Sequence, residues 1–95
     1  MALTFEWDPR KDATNRTKHG VGFDEALTVF ADPLGRIVED PRHSGDEIRL
    51  TLLGLSVRRR LLAVMFTERG EDRVRIFSAR RATRHERHDY EEVSP

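Results

Sequence analysis

The stretch LLAVMFTERGEDRVRIFSAR, Leu61–Arg80, decides how the rest of the chain must be arranged. Leu61–Phe66 is apolar at every position, which suits a strand covered on both faces and so predicts the centre of a sheet. After the connection RGED, the run from Arg73 alternates: Val74 and Ile76 share one face, while Arg73, Arg75 and Phe77 share the other. A connection this short requires the two strands to be antiparallel, because a parallel neighbour needs a crossover of about a dozen residues or more. Upstream, IRLTLLGLS (Ile48–Ser56) and GRIVEDP (Gly35–Pro41) supply two more strands, with RHSGDE (Arg42–Glu47) as the turn between them. The expected core is an antiparallel meander of about four strands.

The N-terminal third reads differently. LTFEW (Leu3–Trp7) alternates Leu3, Phe5 and Trp7 with polar neighbours, the period of a half-buried strand. Asp8 and Pro9 are suited to the N-cap and first position of a helix, which runs to about Lys18 and is closed by Gly20. Its one aliphatic residue is Ala13, so this helix must be held by its ends or by polar contacts. GFDEALTVFADP (Gly22–Pro33) repeats Phe23, Ala26, Leu27 and Phe30 at helical spacing, and Pro33 ends the pattern. At the other end, Thr83 and Glu86 have the spacing of a capping box and start a helix over Arg84–Glu92. The predicted fold is therefore α+β: N-terminal helices, the sheet, and a basic C-terminal helix.

Ninety-five residues suffice for one small domain, and a charged fraction of 36% against 37% hydrophobic predicts a modest core under a densely charged surface. The absence of cysteine excludes disulfides, thiolate metal sites and a cysteine nucleophile. The N-terminal MALTFEWDPRK has no apolar secretory core, and the longest apolar run falls far short of the roughly 20 residues of a membrane span, so a cytoplasmic location is expected.

The balanced net charge hides a segregation. Residues 1–55 hold seven basic and ten acidic groups, and residues 56–95 hold ten basic and seven acidic. Between Arg73 and His88 stand Arg73, Arg75, Arg80, Arg81, Arg84 and Arg87 against a single carboxylate, Glu86, whereas seven carboxylates crowd residues 24–47. Two readings fit: a polyanion-binding face, or two blocks that neutralise each other across the fold. Arg73 and Arg75 beside Phe77 suit single-stranded nucleic acid, phosphates on arginine and a base on the ring; equally, the arginines protect a sheet edge and Phe77 packs under a helix. Arg80, Arg84 and Arg87 form one basic stripe if Arg80 immediately precedes the last helix.

No metal is expected, since His85 and His88 lack accompanying Cys or an H-E-x-x-H pattern. His19, at a helix C-terminus, is a cap or an acid or neither. Glu68 and Arg69 at a strand end are able to serve as base and phosphate clamp, but are also ordinary turn residues. With Arg, His, Glu, Lys and Tyr90 as the inventory, enzymatic action points to ribonuclease chemistry without a metal. In it the substrate's own 2′-OH attacks the adjacent phosphate, and the protein moves protons and stabilises charge. The non-enzymatic alternative is a nucleic-acid or partner-binding module.

The segments FEWDPRK…N…KHGVGFDEALTVFADP, HSGDEIRLTLLGLS and LLAVMFTERGEDRVRIFSARRATRHERHDYEE resemble the BrnT family across nearly the whole chain. The most specific pieces are KHG followed by F-D-E-A, then TERG, then R-I-F-S-A-R-x-A-T-x-x-E-R-x-x-Y. The resemblance implies a RelE-like microbial RNase fold and a type II toxin that cleaves RNA and arrests translation. It also implies an antitoxin, BrnA, with a ribbon-helix-helix region through which the complex represses its own operon. Carried onto this sequence, the motifs make Lys18, His19, Glu68, Arg69, Arg80 and Arg84 the site candidates, with Arg80 and Arg69 as phosphate and transition-state contacts. Gly22 stands where the resemblance leads us to expect a serine cap, and Thr14 where it leads us to expect an apolar residue.

Overall fold

The computed structural model describes residues 3–39 and 48–92, with only the backbone of Glu39, so the RHSGDE turn and His43 lie outside the described residues. Five strands form one sheet in the order β1-β5-β4-β3-β2, from β1 (Thr4–Glu6), β2 (Arg36–Glu39), β3 (Leu50–Leu55), β4 (Leu61–Glu68) and β5 (Arg73–Arg81). The meander β2-β3-β4-β5 is antiparallel throughout, and β4, apolar on both faces, stands in the middle of the sheet. The expectation of about four antiparallel strands is corrected by β1. It joins β5 in parallel, with Thr4, Phe5 and Glu6 opposite Arg73, Val74 and Arg75. Residues 7–72 lie between these two strands, which is the long crossover that a parallel pair needs. Arg73 and Arg75 are therefore not edge protection, because β1 covers them.

One face of the sheet carries the main core. Leu52, Leu62, Val64, Phe66, Val74, Ile76 and Ala79 pack against Val21, Phe23, Ala26 and Val29. Edge-to-face aromatic contacts tie β1 into it: Phe5 meets Phe30 at 5.0 Å between ring centres, Phe30 meets Phe66 at 5.0 Å, and Trp7 meets Phe23 at 6.0 Å. Leu3 precedes the strand and remains exposed.

The first helix, α1 (Pro9–His19), begins as its sequence predicts: the Asp8 side chain accepts from the Arg10 N–H at 2.9 Å, and Gly20, at φ 71°, closes the last turn. Its one buried residue is Asn15. Among the described residues no strand continues along the outer edge of β5 beyond Arg75, and the Asn15 carboxamide takes the place of one. It accepts from the Ala79 N–H at 3.2 Å, donates to the Ala79 carbonyl at 2.7 Å, and donates to the Val21 carbonyl at 2.8 Å. A helix with nothing apolar to bury is thus docked through backbone groups that would otherwise be orphaned.

The second helix is shorter than predicted. α2 (Phe23–Ala26) tightens into a 3-10 turn over Leu27–Ala31. There Thr28 donates back to the Glu25 carbonyl at 2.6 Å, and Val29 presses onto β3 so closely that a Cβ at Gly54 would stand 2.7 Å from its Cγ1. Gly22 makes no side-chain cap; Asp12 of α1 substitutes by accepting from the Phe23 N–H at 2.8 Å. Glu25 is 5% exposed, and Arg60 of the β3–β4 turn meets both of its oxygens while Ser56 donates to it at 2.6 Å. Arg60 also donates to the Gly20 carbonyl at 3.1 Å, so one ion pair joins α2, the turn and the end of α1.

The last helix, α3 (Arg84–Glu92), starts on the predicted capping box: Glu86 N–H to Thr83 Oγ1 at 3.1 Å and Thr83 N–H to Glu86 Oε1 at 2.9 Å. It lies on the face of the sheet opposite α2, across the row Arg80–Ala63–Leu53–Arg36 that the strand register defines. Arg80 holds Glu86 at one end, Arg36 donates to the Asp89 carbonyl at 3.0 Å at the other, and Tyr90 donates to Asp32 at 2.7 Å.

Replacing Asn15 with Ala should cost about 3 kcal/mol, since it strips partners from three backbone groups beneath a docked helix. Chemical denaturation of the variant against the parent chain measures this, and a loss below about 1 kcal/mol would contradict the docking role. Hydrogen bonds from Arg60 outweigh burial and hold the Glu25 carboxyl below its usual 4.5. A depressed pKa contributes stability above the unfolded value and loses it as pH falls through the folded one. Thermal unfolding of Glu25→Gln should therefore show a lower Tm at pH 7, by about 3 kcal/mol of stability, and a shallower decline than the parent chain on acidification below pH ~4.5.

Candidate nucleic-acid interface

The face of the sheet that carries α3 is only partly covered. A β-bulge shapes the open part: Phe66 pairs with Ile76 but Met65 with Ser78, which leaves Phe77 as an extra residue on β5. Strict alternation from Arg73 would send Arg80 to the core side. The bulge reverses the parity, so Ala79 enters the core and Arg80 joins Arg73, Arg75 and Phe77 on the open face.

Between α1 and β5 on this side runs a groove of about 300 Å³ lined by Arg10, Lys11, Thr14, Asn15, Lys18, His19, Phe77 and Ser78. Among the described residues no carboxylate lines it. Lys11, Asn15 and Lys18 share one face of α1, so the contact that docks the helix also aims both lysines along the groove. Among the described residues neither lysine joins an ion pair. Phe77 is half-buried in the groove wall opposite α1, and the Arg49 guanidinium stacks over its ring at 4.7 Å.

The other predicted cations are placed unequally. Arg75 donates to Glu6 at 2.9 Å, with Arg73 at 3.5 Å from the same carboxylate, and these contacts outweigh burial to hold Glu6 below its usual range. Arg80 is paired end-on with Glu86, Nη1 to Oε1 at 2.7 Å and Nη2 to Oε2 at 3.0 Å. That hydrogen-bonded pairing raises the Arg80 pKa and depresses that of Glu86 despite burial. The Arg80–Arg84–Arg87 stripe does not form, because Glu86 draws Arg80 beneath α3 while Arg84 and Arg87 stay exposed on its outer side. Arg81 is exposed at the end of β5.

Glu68 and Arg69 are not brought to the groove. Glu68 lies opposite Val74, on the core-side parity, and is five residues along β4 from the Ala63 that faces Arg80, about 17 Å at strand spacing. Arg69 follows in the turn, its N–H donating to the Arg73 carbonyl at 2.8 Å. Tyr90 is an anchor here: burial and its bond to Asp32 push the phenol up to about 12, so it stays protonated at neutral pH. In the acidic segment, Glu25 accepts from Ser56 and Arg60, and Asp32 accepts from the Leu34 and Leu55 N–H groups and from Tyr90; the side chain of Glu39, and Asp40, Asp46 and Glu47, lie outside the described residues.

Arg10, Lys11 and Arg49 belong to this surface and were not singled out in the sequence. Lys11 was legible as the i−7 partner of Lys18 on one helix face; Arg49 was not, since its place over Phe77 depends on strand register. Among the described residues, no helix is long and apolar enough to cross a membrane, and no three His, Asp or Glu side chains gather to hold a metal ion.

The geometry has known counterparts. No curated protein matches the chain. Among solved structures, the 1.1 Å crystal structure of the Brucella abortus ribonuclease toxin BrnT shares the fold with a TM-score of 0.65 at 24% identity, covering 87% of this chain and 100% of that one. The family described as the ribonuclease toxin BrnT of type II toxin-antitoxin systems matches residues 7–86, from Trp7 before α1 to Glu86 in the capping box. The chain belongs to the BrnT family of ribonuclease toxins.

Proposed function

We propose that residues 1–95 act as one RelE-like toxin domain in the cytoplasm, and that RNA crosses the open sheet face between α1 and α3 and is cut there without a metal. The observation that carries this reading is the α1–β5 groove: two lysines, a histidine and an aromatic ring converge, and among the described residues no carboxylate joins the lining and neither lysine joins an ion pair. Lys11 and Lys18 attract phosphates, a base stacks beside Phe77 and Arg49, and Arg80 stands within the same face to contact the scissile phosphate. His19 is the group able to move a proton between the 2′-OH and the leaving oxygen. Arg73, Arg75, Arg81, Arg84 and Arg87 extend the cationic track, and Arg69, in the turn at the far end of the sheet, meets a more distant phosphate.

The partner in this reading is a BrnA-type antitoxin, a ribbon-helix-helix DNA-binding protein with which the toxin co-represses its operon. The exposed cations of α3 suit an acidic segment of such a partner. A non-catalytic binding module is favoured by one observation, that Arg73, Arg75 and Arg80 are already paired with Glu6 and Glu86.

Incubation of the purified chain with end-labelled single-stranded RNA in excess EDTA separates the readings. Fragments ending in 2′,3′-cyclic phosphate are expected; bound but intact RNA would establish the module instead. Replacing Lys11 or Lys18 with Ala should weaken RNA binding and reduce the slope of log K against log salt by about 0.7 each, as expected for loss of one phosphate contact to a single strand. An unchanged slope in both variants would move the RNA away from α1.

A further inference from the structure

Glu86 is the residue on this face whose position the capping box explains only in part. A capping carboxylate needs one oxygen for the Thr83 N–H, yet both of its oxygens also engage Arg80. Arg80 is 31% exposed and Glu86 20%, so the pair is half-buried under the start of α3 rather than loose in solvent. Guanidinium has five N–H donors. Glu86 occupies the end-on fork, and Nη1 also lies 3.4 Å from the Arg81 carbonyl. The side-on fork, Nε–H with the outer Nη2–H, has no partner among the described residues.

We propose that Glu86 is a positioning residue: it locks the Arg80 guanidinium through the end-on fork so that the side-on fork is presented, preset, to an RNA phosphate. This rests on the reading of Arg80 as a phosphate contact. An arginine on a flexible stem loses several torsions when it binds an anion; here α3 has already removed them. The paired carboxylate cancels much of the long-range attraction, so the contribution of Arg80 is directional hydrogen bonding, expressed in turnover more than in capture. The same carboxylate caps α3, so a partner that unseats α3 also releases Arg80.

Glu86→Gln separates the two duties, because glutamine still caps while its amide no longer matches guanidinium. The test is steady-state cleavage of a short single-stranded RNA by the parent chain, Arg80→Ala, Glu86→Gln, the double variant and Thr83→Ala. Glu86→Gln is expected to lower kcat at least about tenfold with KM changed less than about threefold and Tm nearly unchanged. The double variant should be no slower than Arg80→Ala, and Thr83→Ala should lower Tm with kcat near the parent value. If Glu86→Gln keeps or gains activity while Arg80→Ala is impaired, the positioning role falls and the site survives. If Arg80→Ala cleaves normally, or the parent chain does not cleave, the site assignment falls and the positioning role with it.

Discussion

The carboxamide of Asn15 on the open edge of β5 is the contact on which the functional face depends. α1 has no apolar stripe, so hydrophobic burial cannot dock it, and its end caps fix only its length. Asn15 supplies the docking by completing the hydrogen bonds of Ala79, on the β5 edge past the end of β1, and of the Val21 carbonyl in the α1–α2 connection. Asp12 then joins α1 to the start of α2, and Arg60 joins the end of α1 to buried Glu25. At Asn15 and at Glu25 the contacts are buried, so loss of a partner there leaves a buried group unpaired, which is where large destabilisations originate. The groove between α1 and β5 exists only while that seat holds.

A second constraint acts inside the sheet. The extra residue at Phe77 changes which side of β5 every later side chain occupies, and a one-residue change of parity is the largest rearrangement a strand can make without breaking its pairing. It allows Ala79 to face the core and Arg80 to face the same side as Arg75. It also sets Arg80 in the row with Ala63, Leu53 and Arg36 across which α3 is laid, so the helix is gripped by an arginine from each side of the meander. Ala63, small and fully buried, leaves the space for it.

Legibility in the sequence follows from the range of the physics involved. The meander, the ends of α1 and the capping box of α3 were readable because periodicity, short turns and caps are local. The need for α1 to be held by polar contacts was readable too, as a deficit of apolar residues, although Asn15 as the donor was not. The parallel seat of β1, the bulge and the stacking of Arg49 on Phe77 were not legible, since each depends on which distant residues become neighbours. Glu25 shows the same limit from the other direction: as one of seven carboxylates it looked like surface charge, and its burial with Arg60 appears only when the β3–β4 turn folds back on α2.

The distribution of paired and unpaired cations gives this face an internal order. An unpaired lysine on α1 keeps its full field, reaches several ångströms into solvent and is weakened by salt. An arginine closed on a carboxylate exerts little field at a distance but retains donors in a fixed plane. Lys11 and Lys18, which join no ion pair among the described residues, lie along the groove wall, and the paired arginines, Arg75 with Glu6 and Arg80 with Glu86, lie on the sheet beside it. A polyanion drawn in by the lysines thus meets donors already oriented by the sheet and by α3, with attraction and alignment assigned to different residues. For the whole chain to be neutral while this face is cationic, carboxylates must be withdrawn from it; the buried Glu25, closed on Arg60 and Ser56, is one that the fold has placed elsewhere.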